Sequence, residues 1–146
     1  MLTGEYKVSI DEKGRLIVPS RLRTEIPGNT LILTRGVDEC LWLFLPEDWQ
    51  KISQSLMQAA SPFQNKARLL QRRIIAPSQE IELDKLGRVN IPSTLVESAG
   101  LQKECLILGL MKYIEIWDVE VYQRYNDSTA AEFKEAAEEL GGLISF

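Results

Sequence analysis

Arg15 and Arg88 each follow a glycine and stand four residues after an aspartate, in Asp11-Glu12-Lys13-Gly14-Arg15 and Asp84-Lys85-Leu86-Gly87-Arg88. Asp and Gly at this spacing specify a tight turn, in which the Asp side chain caps its own backbone and Gly supplies a positive φ. The arginine then takes the first position of the strand leaving the turn. A guanidinium held on a rigid element offers two parallel hydrogen bonds, a geometry that suits phosphate oxygens or the O6 and N7 atoms of guanine. Lys13 and Lys85 add a charge at the two tips, and Lys7, on the strand entering the first, is grouped with them. The plainer reading is an internal Asp–Arg ion pair that fixes the turn. Turn stability does not demand Arg beside Gly, yet it stands there twice. Arg15, Arg88, Lys13, Lys85 and Lys7 are therefore the candidate nucleic-acid contacts, and Asp11, Gly14, Asp84 and Gly87 the architecture of the turns.

The doubling extends past the turns. Residues 11–22 and 84–95 share six identities at a shift of 73: Asp11/Asp84, Gly14/Gly87, Arg15/Arg88, Pro19/Pro92, Ser20/Ser93 and Leu22/Leu95. At the same shift Leu41-Trp42-Leu43-Phe44 lies over Ile114-Glu115-Ile116-Trp117, and Glu47 and Trp49 over Glu120 and Tyr122. Leu31-Ile32-Leu33 matches Leu106-Ile107-Leu108 if the second copy carries two extra residues near Gly100-Leu101-Gln102, a turn that tolerates insertion. The chain thus reads as two repeats, 1–76 and 77–146, arranged as a pseudo-twofold unit. A repeat of about 70 residues buries too little core to stand alone, so the two are expected to share one.

The elements that must position the arginines follow from local pattern. Tyr6, Val8 and Ile10 alternate with charged and polar residues, the period of a half-buried strand. Arg15–Val18 returns from the turn, and the two strands are expected to close a hairpin narrow enough for a major groove. Pro19 ends the return strand and opens a short helix over 20–25, with Leu22 and Ile26 as its buried face. Strands over 30–34 and 40–45 follow, then a helix from Pro46 with Trp49, Ile52, Leu56 and Ala59 at helical spacing, and a basic helix over 63–73. The second copy repeats the scheme and ends in one or two helices to about 140. The fold class is α+β. Trp42, Trp49, Trp117 and Tyr122 recur beside aliphatics and read as core or subunit contact.

Composition narrows the function. The chain has no histidine, which removes the commonest general base and transition-metal ligand. Two equivalent aspartates resemble an aspartic dyad, but no small hydroxyl residue follows them, and the nearby arginine holds each carboxylate ionised. No enzyme, cofactor, metal or small-molecule substrate is expected. Cys40 and Cys105 form no paired motif and read as ordinary thiols of a cytoplasmic protein. No stretch approaches the roughly 18 apolar residues of a membrane span. The net charge of −4 conceals segregation: Lys66–Arg88 holds six basic residues against three acidic, and 113–146 holds eight acidic against two basic. The basic run Arg68–Arg73 reads as a solvated helix face more than a groove contact.

The duplicated Asp-x-x-Gly-Arg turn, followed by Ile/Val-Pro and a short helix, resembles the AbrB/SpoVT-type DNA-binding domain. Two copies at this spacing resemble the MraZ family of bacterial transcriptional regulators, with Gly4-Glu5-Tyr6, Leu33-Thr34-Arg35-Gly36 and Glu82-Leu83-Asp84 adding to the likeness. The resemblance implies a swapped-hairpin β-barrel with peripheral helices and homo-oligomeric rings of about eight to twelve subunits. It implies a nucleoid-associated repressor that binds direct repeats in double-stranded DNA upstream of its own division and cell-wall operon, with Arg15 and Arg88 as the family's arginines. Val8 stands where members often carry histidine. The alternative is an antitoxin-like DNA-binding and protein-interaction module; the segment 129–140, helical and acidic, reads more as a packed or solvated helix than as the extended tail such a module would use.

Overall fold

A computed structural model describes residues 1–59 and 61–144. In chain order the elements are β1 (Leu2–Ser9), β2 (Arg15–Ile17), α1 (Ser20–Arg23), β3 (Thr30–Arg35), β4 (Leu41–Phe44) and α2 (Pro46–Ala59). Then come α3 (Asn65–Leu70) running into a π-helical turn (Gln71–Ile75), β5 (Gln79–Glu82), β6 (Arg88–Asn90) and α4 (Ser93–Ser98). The chain continues through β7 (Glu104–Met111), β8 (Tyr113–Asp118), α5 (Val119–Ser128) and α6 (Ala130–Gly141). The class is α+β, as the patterns imply. Among the described residues no helix is long and apolar enough to cross a membrane.

Six strands form one antiparallel sheet in the order β1-β7-β8-β4-β3-β5, and β2 pairs with β6 in a separate two-stranded ribbon. Exchanging each strand for its copy (β1 for β5, β3 for β7, β4 for β8) returns the same order reversed. The registers share this symmetry. Leu16 pairs with Val89 in the ribbon and Trp42 with Glu115 in the sheet, each residue facing its own counterpart 73 positions on. The pseudo-twofold axis runs through both pairs.

Two expectations are corrected. β1 and β2 do not build a ladder: they share one bridge, Ile10↔Leu16, and each finds its main partner in the other repeat. A three-residue strand has little pairing capacity, and its apolar residue Leu16 is buried best against Val89. The second correction is the insertion. Ile32 pairs with Phe44 and Leu106 with Trp117, so Leu31-Ile32-Leu33 corresponds to Cys105-Leu106-Ile107 and the second copy carries one extra residue.

One core cluster draws on both repeats, from Leu16, Val18, Leu22, Leu31 and Leu43 to Val89, Ile91, Leu95, Ile107 and Ile116. Leu22 and Ile26 are buried as the helical spacing demands. Pro19 and Pro92 stand immediately before α1 and α4, where a missing N–H costs nothing, and neither helix has a side-chain cap. Of the recurring aromatics, Trp117 is buried with Tyr122 and Tyr125 against it, while Trp42 and Trp49 pack around Phe44.

Candidate nucleic-acid interface

The ribbon β2–β6 is where the two motifs meet. Leu16 and Val89 point inward and are 1% and 0% exposed. By the two-residue period of a strand, Arg15, Ile17, Arg88 and Asn90 all face outward. Arg15 stands opposite Asn90, and Ile17 opposite Arg88. The two arginines are thus diagonal neighbours on one exposed face, about 7–8 Å apart at the backbone.

Each turn is closed by the same set of bonds. Asp11 Oδ1 accepts from the backbone N–H of Lys13 (2.9 Å) and of Arg15 (2.8 Å), and Oδ2 accepts from Arg15 Nε (2.7 Å). Asp84 Oδ1 accepts from Leu86 N (2.9 Å) and Arg88 N (2.9 Å), and Oδ2 from Arg88 Nε (2.8 Å). The arginine backbone N–H is the main cause that lowers both carboxyl pKa values below the usual range; partial burial opposes it, and the arginine side chain and the second backbone N–H reinforce it. Gly14 and Gly87 take φ of 80° and 78°. Each hands its carbonyl to the other repeat: Ile91 N donates to Gly14 O (2.8 Å) and Val18 N to Gly87 O (2.9 Å).

The internal ion pair therefore forms, and it settles how the guanidinium is aimed. Nε of each arginine is held by its aspartate, and the terminal amino groups have no hydrogen-bond partner among the described residues. The side chains of Arg15 and Arg88 retain 36% and 27% of their exposure. The aspartate cancels the net charge of the pair but leaves a bidentate donor edge in place. Such an edge favours a planar pair of acceptors over a diffuse anionic field.

The other candidate cations are placed less uniformly. Lys13 and Lys85 sit at the tips but are not counterparts: at the shift of 73, Leu86 matches Lys13 and Lys85 matches Glu12. Lys7 lies exposed on the edge strand β1, paired with Leu106, so it belongs to the large sheet and not to the ribbon. In the basic run, Ala67 and Ile74 turn inward while Lys66, Arg72 and Arg73 face solvent. Arg68 donates to the Pro62 carbonyl at 2.9 Å.

Arg23 was not among the candidates. Its Nη1 donates to Leu86 O at 3.1 Å, and the guanidinium lies directly over Gly87. The equivalent position in the second repeat is Val96, which lines the space beside Gly14. Asn90 and Ile17, which are counterparts of each other, were missed as well. Strand parity, applied to both copies once β2 and β6 are paired, is the signal that finds them.

A model of the MraZ protein family matches residues 1–73 and again 74–142. The chain belongs to the MraZ family. Transcriptional regulator MraZ of Treponema denticola is 49% identical over 142 residues, covering 97% of this chain and 99% of that protein. The protein of the same name from Treponema pallidum (strain Nichols) is 43% identical, covering 97% and 95%. That of Limosilactobacillus fermentum is 39% identical, covering 98% and 99%. A solution structure from Pyrococcus horikoshii, PHS018, covers 79% of the chain at 14% identity and a TM-score of 0.32, a likeness too slight to define the fold. The two MraZ matches meet between Arg73 and Ile74, inside the π-helical turn, while the strands on either side of that junction interleave.

Proposed function

We propose that this protein is a DNA-binding transcriptional regulator whose ribbon β2–β6 enters the major groove with Arg15 and Arg88 facing the duplex. The observation that carries this reading is the shared outward face of the two arginines, each with its terminal amino groups free. Two strands about 4.8 Å apart fit a groove about 12 Å wide. The three relatives, each named a transcriptional regulator, support the reading. Lys13, Lys85 and Arg23 flank the ribbon at its turns and supply phosphate contacts; Lys7 extends them along β1.

Two arginines hold DNA weakly at physiological salt, because each neutralised phosphate adds only a modest, salt-dependent increment. Self-association multiplies the contacts and makes later ones intramolecular, with gains on the order of 10²–10⁴. On this reading the protein forms a closed ring in the cytoplasm, binds direct repeats in the promoter of its own division and cell-wall operon, and represses it. The test is fluorescence anisotropy on promoter DNA over a salt series. Arg15→Ala and Arg88→Ala are each expected to weaken binding and flatten the salt slope by about 0.9 per lost phosphate contact. Parental affinity in both variants and in the double variant would remove the assignment. The second reading, an antitoxin-like interaction module, is supported by the matched family's description as antitoxin-like. A stoichiometric partner retained on the purified protein from its host would favour that module.

A further inference from the structure

The ribbon β2–β6 is symmetric in its arginines and asymmetric in the side chains beside them. Arg15 pairs with Asn90 at the end next to the first turn, and Arg88 with Ile17 at the end next to the second. The first turn carries Glu12 and Lys13, the second Lys85 and Leu86. Arg23 adds a further cation at the second turn, where its Nη1 donates to Leu86 O at 3.1 Å; Val96 holds the equivalent place beside the first. Apart from the Asp–Arg pair common to both, the second turn holds two cations and no acid, and the first one of each.

Two depressions beside the turns record the difference. The one at the second turn has a volume of about 460 Å³ and is lined by Arg23, Asn29 and Lys85. The acid among its lining residues, Asp84, is held by Arg88 at 2.8 Å. The depression at the first turn is smaller, about 250 Å³, and is lined by Glu12, Lys13, Ser93 and Val96. Lys103 lines a separate depression with Glu39, Glu104 and Glu120, so it does not restore the balance. An anionic backbone running past both ends of the ribbon is drawn harder to the second. Phosphate contacts position a protein on the duplex, whereas base contacts specify the sequence. Base contacts are better served at the first end, where the Asn90 amide stands across from Arg15. An amide there matches adenine as the guanidinium matches guanine, while Ile17 gives Arg88 only an apolar neighbour.

We propose that the ribbon lies on DNA in one direction only, with Arg23 and Lys85 holding the phosphate backbone at one end and Arg15 with Asn90 reading base edges at the other. The inference rests on the proposed function, which puts this ribbon in the major groove, and gives that contact a sense. A ribbon with two like ends would sit equally well either way round, since the duplex backbone has twofold axes of its own and a symmetric reader selects a palindrome. A ribbon with unlike ends selects an asymmetric site. Copies that present their ribbons in one sense then require that site repeated in one sense, which is a direct repeat. The divergence of Arg23 from Val96, Lys85 from Glu12 and Asn90 from Ile17 is therefore what turns a pseudo-twofold contact into a directional one.

Cys40 and Cys105 are free and buried, so a cysteine introduced at the exposed Leu86 is the thiol that an iron chelate reaches. Full-length Leu86→Cys protein carrying iron–EDTA is bound to a short duplex holding one copy of the sequence that the parent selects from random DNA, and the hydroxyl-radical cuts are mapped. Cuts are expected on one side of the site only. Adding Ile17→Asn with Asn90→Ile to the labelled protein is expected to move them to the other side. Arg23→Ala with Lys85→Ala is expected to leave the cut side unchanged and to flatten the salt slope on random duplex by about 1.8, twice the effect of Lys13→Ala. Circular dichroism verifies folding, and the labelled Leu86→Cys protein, altered at one exposed position, is decisive without the others. Equal cutting on both sides, a cut side that the exchange of Ile17 and Asn90 does not move in a folded protein, or equal slopes for the two turns would each overturn the proposal and leave the ribbon as the DNA contact. DNA retained with no cut near the site would overturn the proposed function as well.

Discussion

Trp42 donates its indole N–H to Glu115 at 2.9 Å, and Glu115 is the residue that holds the place of Trp42 in the second repeat. The same carboxylate accepts from Trp117 Nε1 at 3.0 Å through its other oxygen, and Cys40 Sγ lies 3.7 Å away. A position on the pseudo-twofold axis meets its own copy, so identical residues there would place two tryptophans or two glutamates face to face. The repeats have diverged at this point into a donor and an acceptor. Glu115→Ala leaves two indole N–H groups without an acceptor and is expected to cost about 2–4 kcal/mol in denaturant unfolding. Glu115→Gln keeps one acceptor oxygen and is expected to cost about half as much.

Gly14 and Gly87 offer a matched pair of substitutions with unequal outcomes. Both have positive φ, so alanine is strained at either place by roughly 1–2 kcal/mol. A Cβ at Gly14 meets the Ile91 carbonyl oxygen at 2.5 Å, a backbone atom tied into the ribbon. At Gly87 it meets the flexible Arg23 guanidinium, which can swing aside. Gly14→Ala is expected to lower the unfolding midpoint more than Gly87→Ala, and Arg23→Ala to recover part of the loss at Gly87 only.

Asn90 and Ile17 distinguish the two halves of the ribbon's outer face. An amide matches the N6 and N7 atoms of adenine, while an aliphatic side chain matches the methyl of thymine. Asn90→Ala is expected to relax base preference at one position by about 1–3 kcal/mol and leave affinity for random duplex unchanged. Selection from random DNA, read for the parent and the variant, checks this; an unaltered consensus would place Asn90 outside the groove.

The turn carboxylates give a pH signature. Asp11 and Asp84 are lowered from 3.8, so their contribution to stability is present above that value and is lost as pH falls through the lower folded value. Carboxyl carbon titration by NMR should show both midpoints below 3.8 in the parent. Arg15→Ala removes the side-chain bond but keeps the backbone N–H, so the Asp11 midpoint should rise only part of the way, with Asp84 unmoved.

Local pattern revealed most of the elements here, because each strand and helix records its own period. Pairing was less legible. The turn at Asp11–Gly14 reads as the tip of a hairpin, and nothing in Arg15-Leu16-Ile17 says that its partner lies 73 residues away. A strand this short carries one inward residue, too little to name a partner. The same limit hid Arg23, which reads as an ordinary helix cation until the second turn is folded beneath it. The arginines of the turns were legible because they occur twice, and repetition is visible without coordinates.

The interleaving of β1 with β7 and of β5 with β3 has a consequence for how the molecule is built. Each half pairs two of its own strands but completes its part of the sheet only with a strand of the other, so severing the connection before β5 is expected to leave two fragments clasped together, not two independent modules. What two separate polypeptides would achieve only above some threshold of abundance, one polypeptide achieves upon completion of its synthesis. Freed from having to match itself, each half has room to specialise.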